Sequence, residues 1–239
     1  MRTHQQLKIK LFMDGAEIES MRLAVATMPY IRGFTTNPTL MRKAGVTDYT
    51  GFAKEVIGVV KGLPISFEVF SDEFSEMERE ARVIHSWGPN ASVKIPITNT
   101  RAESSIPLIK HLSADGIPLN ITAMMTLDQV RDVGQALHPH TPSIVSVFAG
   151  RIADAGLDPV PLMRQAAETL RDRPKAELLW ASPREVLNVV QAEDTGCKII
   201  TATRDILAKL PLLGKDLAEY SLDTVKMFYN DAKAAGFKI

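Results

Sequence analysis

Short apolar stretches alternate with longer amphipathic stretches along the whole chain. The short stretches alternate apolar and polar residues in the way typical of β-strands, and the longer ones have the period of a helix. The predicted strands cover residues 8–14, 33–37, 64–69, 91–96, 118–122, 143–148, 176–180 and 198–201. The predicted helices cover residues 16–27, 49–61, 73–86, 102–114, 127–137, 160–171, 184–195 and 204–210. This order predicts an α/β protein with a parallel sheet.

Eight consecutive strand–helix units favour closure of the sheet into a (β/α)8 TIM barrel. The length of 239 residues fits the usual size of that fold, about 250 residues. An open doubly wound sheet is the alternative, but no glycine-rich dinucleotide motif follows the first strand. We therefore expect one barrel domain over residues 1–239. An additional C-terminal helix, over residues 221–236, either packs on its own barrel or docks on a neighbouring subunit.

Lys94 interrupts the apolar pattern of the fourth predicted strand. Val93 and Ile95 share one face of this strand, and Lys94 points to the other. Such a residue is either an edge-strand lysine that discourages aggregation or a desolvated amine that can attack a carbonyl group. A closed barrel has no edge strand, so the predicted fold favours the second interpretation.

Polar residues occupy the corresponding alternate positions on several other strands, near their carboxyl ends. Helices cover the outer face of a barrel, so this polar set is expected to point inward, at the end where barrel enzymes carry their active sites. The set consists of Asp14, Asn37, Glu68, Lys94, Asn120, Thr122 and Ser146. It predicts an active site in which a lysine lies near two carboxylates.

This combination of residues suits imine formation between Lys94 and a ketose. A protonated imine is an electron sink, so the adjacent C3–C4 bond can break while a carboxylate takes the proton of the C4 hydroxyl. Amide and hydroxyl groups then hold the substrate hydroxyls and the three-carbon fragment. No cluster of residues has the spacing of a metal site, so a metal site is not expected.

Two arginines follow adjacent strands and predict an anion site. Arg151 follows the sixth strand, and Arg184 follows the seventh together with Ser182. The three residues suit a phosphate group, although each arginine could instead be a surface residue in a salt bridge. A carbonyl-processing site on the same rim favours the phosphate. Trp180 has the strand parity of Ser182 and is expected to line the same pocket.

Composition narrows the classes of partner and compartment. Lys plus Arg and Asp plus Glu each total 28, and the absence of a net basic charge argues against nucleic acid or an anionic membrane as the main partner. The single Cys197 excludes an internal disulfide framework. The first residues lack the apolar core of a signal peptide, and no apolar run approaches the roughly 18 residues of a membrane span. We therefore expect a cytoplasmic protein.

Five segments together resemble the transaldolase family of class I aldolases. They are Thr35-Thr-Asn-Pro-Thr39, Val93-Lys-Ile-Pro96, Asn120-Ile-Thr122, Ser146-Val-Phe-Ala-Gly-Arg151 and Ala181-Ser-Pro-Arg184. The resemblance runs from about Leu11 to Leu210, and the first two segments are its most specific part. The length of the chain is similar to that of the compact bacterial branch, which also contains fructose-6-phosphate aldolases.

The resemblance implies a cofactor-free (β/α)8 barrel that acts on sugar phosphates in carbohydrate metabolism, such as the pentose phosphate pathway. It implies that Lys94 forms a Schiff base and that Asp14 is the acid and base of carbon–carbon cleavage. Glu68 and Thr122 would act through a catalytic water. The positions that match the family's dihydroxyacetone and phosphate sites are Asn37, Asn120, Ser146, Arg151, Ser182 and Arg184. Compact members are often pentamers or decamers, so we expect a homo-oligomer in which the C-terminal helix reaches a neighbour.

Two positions help to choose the branch within this family. The aldolase branch typically has glutamine on the third strand and tyrosine after the sixth, whereas this chain has Glu68 and Phe148. The resemblance therefore favours a transaldolase that moves a dihydroxyacetone unit from a ketose phosphate, such as fructose 6-phosphate, to an aldose phosphate.

Three alternatives remain open at the level of sequence. One is an aldolase that releases free dihydroxyacetone. Another is an enzyme for a modified ketose such as a sulfonated sugar, because Gly15, Trp180 and Pro183 depart from the family pattern. The third is a barrel without catalytic activity that binds a sugar phosphate.

Overall fold

A closed barrel of eight parallel strands, neighbouring one another in the order of the chain, forms the centre of the molecule. The structure is a computed structural model that describes residues 3–238, so residues 1, 2 and 239 of the predicted domain lie outside it. The strands are β1 (Lys10–Asp14), β2 (Ile31–Thr35), β3 (Ile65–Glu68), β4 (Ala91–Pro96), β5 (Leu119–Met124), β6 (Ser143–Val147), β7 (Ala176–Trp180) and β8 (Ile199–Ala202). Because β1 pairs with both β2 and β8, the prediction of a TIM barrel is confirmed.

Helices alternate with the strands and cover the outside of the barrel. They are α1 (Ile18–Thr27), α2 (Pro38–Lys43), α3 (Tyr49–Val59), α4 (Phe74–Ser86), α5 (Ile106–Ala114), α6 (Leu127–Ala136), α7 (Ala149–Asp154), α8 (Pro159–Thr169), α9 (Leu187–Asp194), α10 (Arg204–Leu207) and α11 (Leu217–Ala234). Short 3-10 turns cover His4–Gln6 and Leu210–Leu212. The short helices α2 and α7 were not predicted from the sequence. α2 begins directly after Asn37, and α7 begins after Phe148, near the end of β6.

Two apolar layers hold these elements together. The larger layer lies between the strands and the helices, and it contains the outward-facing residues Leu11, Met13, Val93 and Ile95 that the alternation predicts. The smaller layer lies inside the barrel and consists of Phe12, Ile144, Leu179, Ala181 and Ile199, with Phe148 packed against it. The inward positions nearer the carboxyl ends of the strands are polar. The polar residues therefore lie directly above the apolar layer inside the barrel.

The additional helix α11 differs from the other long helices. It begins at Leu217, four residues before the predicted start, because the Asp216 side chain accepts hydrogen bonds from the N–H groups of Ala218 and Glu219. None of its described residues is buried, and Phe228 is 63% exposed. No helix within residues 3–238 has the length and apolar character needed to cross a membrane.

Candidate active site

A cavity of about 420 Å³ opens at the carboxyl ends of the strands. All of the predicted site residues except Trp180 and Arg184 line it. The lining includes Asp14, Thr35, Asn37, Glu68, Lys94, Asn120, Thr122, Ser146, Phe148, Arg151, Ser182 and Thr201. The inward parity assigned to the polar set therefore agrees with the structure.

A second cavity, of about 460 Å³, lies at the opposite mouth, where the strands begin. Two lysines line it, Lys10 and Lys175. The side chain of Lys10 is 48% exposed and pairs with Glu177 at 2.7 Å, and Lys175 is exposed as well. An exposed ammonium of this kind remains hydrated, whereas Lys94 is only 7% exposed. Of the two cavities, the first is therefore the one that holds a buried lysine. Among the described residues, no group of three His, Cys, Asp or Glu side chains is placed to hold a metal ion.

Lys94 is held between two oxygen atoms. Its Nζ lies 3.1 Å from Oε2 of Glu68 and donates to the backbone oxygen of Thr36 at 3.1 Å. The parallel register places Glu68, Lys94 and Asn120 side by side on β3, β4 and β5. A buried lysine that has a carboxylate neighbour and faces a cavity is unlike an edge-strand lysine, and the closed barrel has no edge for such a residue to protect.

Asp14 provides a second carboxylate at the end of β1. The Thr35 hydroxyl donates to its Oδ1 at 2.7 Å, and the Asn37 amide donates to its Oδ2 at a longer 3.4 Å. Burial raises the pKa of Asp14 above its ordinary value, although the charge of Lys94 and these two hydrogen bonds act in the opposite direction. A carboxyl group with a raised pKa holds its proton more readily, which suits a group that both accepts and returns a proton.

The side chain of Asn37 is oriented by the start of α2. Its Oδ1 accepts a hydrogen bond from the backbone N–H of Leu40 at 3.0 Å, which makes Asn37 the N-cap of that helix. Pro38 follows at the first helical position, where a proline is well tolerated. Because the cap uses the amide oxygen, the amide nitrogen faces Asp14 and the cavity.

Asn120 is fully buried and is fixed by hydroxyl groups on both sides. Its Nδ2 donates to Oγ of Ser66 at 2.9 Å, and the Ser146 hydroxyl donates to its Oδ1 at 2.6 Å. The second N–H bond of the amide is thereby left for a ligand in the cavity. Oγ1 of Thr122 is buried and has no hydrogen-bond partner among the described residues, so this hydroxyl is also available to a ligand or a water molecule.

Arg151 and Ser182 both line the cavity, where the loop after β7 packs on the start of α7. The guanidinium of Arg151 lies 5.4 Å from the centre of the Phe148 ring, a cation–π distance. Ser182 has a left-handed backbone with φ of 59°. A Cβ atom at Gly150 would lie only 1.5 Å from the Ser182 carbonyl oxygen. Only glycine fits there, so Gly150 permits the approach that brings Ser182 beside Arg151.

Arg184 does not line the cavity. Its Nε donates to Oδ1 of Asp154 at 2.9 Å, and its Nη2 contacts Oδ2 of the same carboxylate. Hydrogen bonds from Arg184 lower the pKa of Asp154 and, in return, the pKa of Arg184 is raised. In this structure Arg184 is thus a surface residue in a salt bridge, which was the alternative to an anion site. A role of Arg184 in phosphate binding stays a prediction.

The expectation that Trp180 lines the cavity is corrected. Trp180 is fully buried in the apolar layer between the barrel and its helices, while Leu179 and Ala181 face the barrel interior. Ser182 lies beyond the end of β7, so the strand alternation does not relate it to Trp180. The left-handed backbone at Ser182 breaks that alternation.

Three further polar residues of the site were missed from the sequence. They are Thr35 on β2, Ser66 on β3 and Thr201 on β8, and all three are buried. Their strand parity was a usable signal, because each lies two residues from another inward residue on its own strand: Gly33, Glu68 and Ile199. Threonine and serine are common in strands, so parity alone does not distinguish them from ordinary residues of the barrel.

Comparisons with known proteins agree with this geometry. The sequence model of the family described as Transaldolase/Fructose-6-phosphate aldolase matches residues 11–239. The Listeria monocytogenes protein named "Probable transaldolase 2" is 31% identical over 219 residues, which are 90% of this chain and 95% of that protein. The Thermoplasma acidophilum protein named "Probable transaldolase" is 32% identical over 225 residues, 92% of this chain and 96% of that protein.

A similarity to a solved structure concerns the fold alone. A crystal structure of a Coccidioides immitis protein assigned to the dihydrodipicolinate synthase family superposes with a TM-score of 0.61. The match covers 97% of this chain and 79% of that one at 13% sequence identity.

Proposed function

The chain belongs to the transaldolase/fructose-6-phosphate aldolase family, and from this premise we propose that it is a transaldolase that works through a lysine Schiff base. The enzyme transfers a dihydroxyacetone unit from a ketose phosphate, such as fructose 6-phosphate, to an aldose phosphate. The observation that carries the proposal is the position of Lys94, which is buried 3.1 Å from Glu68 in a cavity that Asp14 also lines.

The first step of the proposed mechanism joins Lys94 to the ketose. The amine attacks the C2 carbonyl carbon after its ammonium proton passes to the neighbouring Glu68 carboxylate. The resulting carbinolamine then loses its hydroxyl group as water, with Glu68 as the source of the proton. The free hydroxyl of Thr122 suits a water molecule that relays this proton.

The second step breaks the bond between C3 and C4. The protonated imine accepts the electron pair of that bond, and Oδ2 of Asp14 takes the proton of the C4 hydroxyl, so the aldose phosphate leaves as an aldehyde. A three-carbon enamine remains on Lys94 and attacks the carbonyl carbon of the incoming aldose phosphate. Asp14 returns its proton to the new hydroxyl, a dual role that its raised pKa suits.

The other lining residues hold the two ends of the substrate. Asn37, Asn120 and Ser146 bind the hydroxyl groups of the dihydroxyacetone unit. Arg151 and Ser182 bind the phosphate at the opposite end. Arg184 joins them only when it leaves Asp154, because its guanidinium is committed to that carboxylate in this structure.

A transfer assay with isotopically labelled fructose 6-phosphate and erythrose 4-phosphate tests the proposal. The wild type is expected to move the labelled three-carbon unit to the acceptor, and Lys94→Met is expected to lose the activity by at least about 1000-fold. Lys10→Met is the matched control, because Lys10 lies at the opposite mouth. Equal activity of Lys94→Met and wild type would refute the mechanism.

Omitting the acceptor in the same assay separates a transaldolase from an aldolase. We expect little release of dihydroxyacetone from the wild type without an acceptor. We expect the ratio of release to transfer to rise severalfold in Phe148→Tyr and in Glu68→Gln, because both replace a residue at the positions that distinguish the branches. If neither substitution shifts the balance toward release, the assignment of the branch is wrong.

The same assay, run over a panel of ketoses, tests the anionic end of the substrate. Preference for a sulfonated ketose over a phosphorylated one would revise the substrate class and leave the lysine chemistry intact. Saturable binding of a sugar phosphate without any transfer or imine would instead favour a barrel without catalytic activity.

The proposal extends to assembly and location. We propose that copies of the chain associate through the exposed apolar residues of α11 and that the enzyme acts in the cytoplasm. Burial raises the pKa of the Cys197 thiol to about 12, so this cysteine is a core residue and not a competing nucleophile.

A further inference from the structure

Thr201 lines the cavity but has no part in the reaction as described. It lies on β8 and is 6% exposed, and its Oγ1 is 2.6 Å from Oγ1 of Thr35. The Thr35 hydroxyl in turn donates to Oδ1 of Asp14 at 2.7 Å. Each hydroxyl carries a single proton and an ionised carboxylate only accepts. When Asp14 is ionised, Thr201 therefore donates to Thr35, and Thr35 donates to Asp14.

The two oxygens of Asp14 are held unequally. Oδ1 accepts the 2.7 Å hydrogen bond at the end of this chain of hydroxyls, whereas Oδ2 has only the 3.4 Å contact with Nδ2 of Asn37. A hydrogen bond near 2.7 Å is strong, and one at 3.4 Å is weak. Oδ2 is therefore the oxygen that is free to exchange a proton with a ligand in the cavity.

We propose that Thr201 is a positioning residue for Asp14: by donating to Thr35 it directs the Thr35 proton to Oδ1 and leaves Oδ2 to exchange the proton of the substrate. A chain of hydrogen bonds polarises each of its members, so the Thr201 hydroxyl strengthens the bond that Asp14 receives without contacting the substrate. This inference rests on the proposed function, because it assigns Asp14 the proton transfer of carbon–carbon cleavage.

Several charged groups lie around Asp14. Within the active-site cavity these are Lys94, Glu68 and Arg151. Asp14 also lines a neighbouring hollow whose charged groups are Glu17, Lys43, Arg204 and Asp205. None of these groups contacts the Thr201 hydroxyl through a described hydrogen bond, so a change confined to Thr201 leaves them in place.

Replacing Thr201 by the equally sized valine removes the donor. The ionised form of Asp14 then loses stabilisation, so its pKa is expected to rise further and the acidic limb of the kcat profile is expected to move to higher pH. We expect kcat at the optimum to fall about fivefold, the effect of one ordinary hydrogen bond. Thr201→Ser retains the hydroxyl and is expected to restore both quantities. Trapping of the imine on Lys94 should remain, since Glu68 and Thr36 still hold that lysine.

The control is Thr141→Val. Thr141 is equally buried and donates to the backbone oxygen of Ser113 at 2.7 Å, but it precedes β6 at the opposite end of the barrel. It reproduces the loss of one buried threonine hydrogen bond and should leave the pH profile unchanged. A shift in Thr141→Val equal to that in Thr201→Val would overturn the inference.

A titration of the Asp14 carboxyl group by carbon-13 NMR, assigned with Asp14→Asn, measures the same effect without substrate. A higher midpoint in Thr201→Val than in wild type and Thr201→Ser supports the inference, and an unchanged or lower midpoint overturns it. If the wild type forms no imine, the proposed function fails, but the titration still decides whether Thr201 acts on Asp14.

Discussion

Asp14 serves the proposed chemistry at a cost to folding stability. Burial raises its pKa in the folded chain, so the unfolded chain gives up this proton more readily. Above the ordinary value of 3.8, ionisation therefore favours the unfolded state. This penalty grows as the pH rises through the folded pKa and then stays constant.

Asp14→Asn is expected to remove that penalty. The free energy of unfolding near pH 7 should rise by about 1 kcal/mol, while transfer activity is lost. The gain should disappear as the pH falls below the ordinary pKa of aspartate, because the wild-type carboxyl group is then protonated in both states. Denaturant unfolding at a series of pH values measures this difference.

Asp154→Asn is the control with the opposite sign. Hydrogen bonds from Arg184 lower the pKa of Asp154, so its carboxylate stabilises the folded state above the ordinary pKa, and this contribution fades as the pH falls. The substitution should reduce stability near neutral pH and have little effect in acid. If the two variants changed stability in the same direction at pH 7, the assignment of opposite electrostatic environments would be wrong.

Gly150 is expected to tolerate no side chain. Its Cβ would overlap the Ser182 carbonyl oxygen, and that oxygen belongs to the backbone and cannot turn aside. Gly150→Ala should lower the free energy of unfolding by about 3 kcal/mol and raise KM for the phosphorylated ketose, because Arg151 and Ser182 separate. Denaturant unfolding and steady-state kinetics measure the two effects.

Gly58→Ala provides the comparison for this substitution. Gly58 lies within α3, and nothing stands within 4 Å of the position of its added Cβ. Alanine there should stabilise the helix by up to about 1 kcal/mol. Equal effects of the two substitutions would contradict the close packing between α7 and the loop after β7.

At the scale of single elements, the sequence predicts strands better than it predicts the segments that follow them. β4 and β7 have the bounds that alternation predicts. The helices α2 and α7 have six residues each, too few to show a helical period, so they were missed. These short helices orient Asn37 and Arg151.

Helix α11 carries a prediction about assembly. Val225, Phe228 and Tyr229 are all at least 60% exposed and follow the i, i+3, i+4 spacing of one helix face. If this face packs on another copy, Phe228→Asp should convert the oligomer into monomers at the same protein concentration, because a buried unpaired charge is costly. Sedimentation velocity measures the change.

Asn230→Asp adds the same charge to the other side of α11 and should leave the oligomer intact. A monomeric wild type, or a Phe228→Asp variant as large as the wild type, would refute assembly through this face.

At the scale of the whole molecule, barrel closure is what makes the sequence interpretable. Once eight strands are inferred, alternation assigns Asp14, Glu68 and Lys94 to one interior and one end, and the structure places them in one cavity. Barrel closure does not predict the conformation of the segments that follow the strands. Trp180 was misplaced because the left-handed backbone of Ser182 ends the strand alternation. The pairing of Arg184 with Asp154 likewise lies beyond the strand, and the phosphate role of Arg184 stays a prediction.

Interior hydrogen bonds between distant strands were also beyond sequence reasoning. The contact of Thr201 with Thr35 joins residues 166 positions apart. Neither residue stands out by type, so only the barrel's curvature and register reveal the pair. The same holds for Ser66, whose role is visible only in its contact with Asn120.

The most direct test of the central claim is borohydride reduction in the presence of fructose 6-phosphate, followed by peptide mass spectrometry. The account predicts a reduced three-carbon adduct on Lys94 of the wild type and of Lys10→Met, and no adduct on Lys94→Met. An adduct retained in Lys94→Met, or a wild type that transfers the three-carbon unit without any trappable adduct, would contradict it.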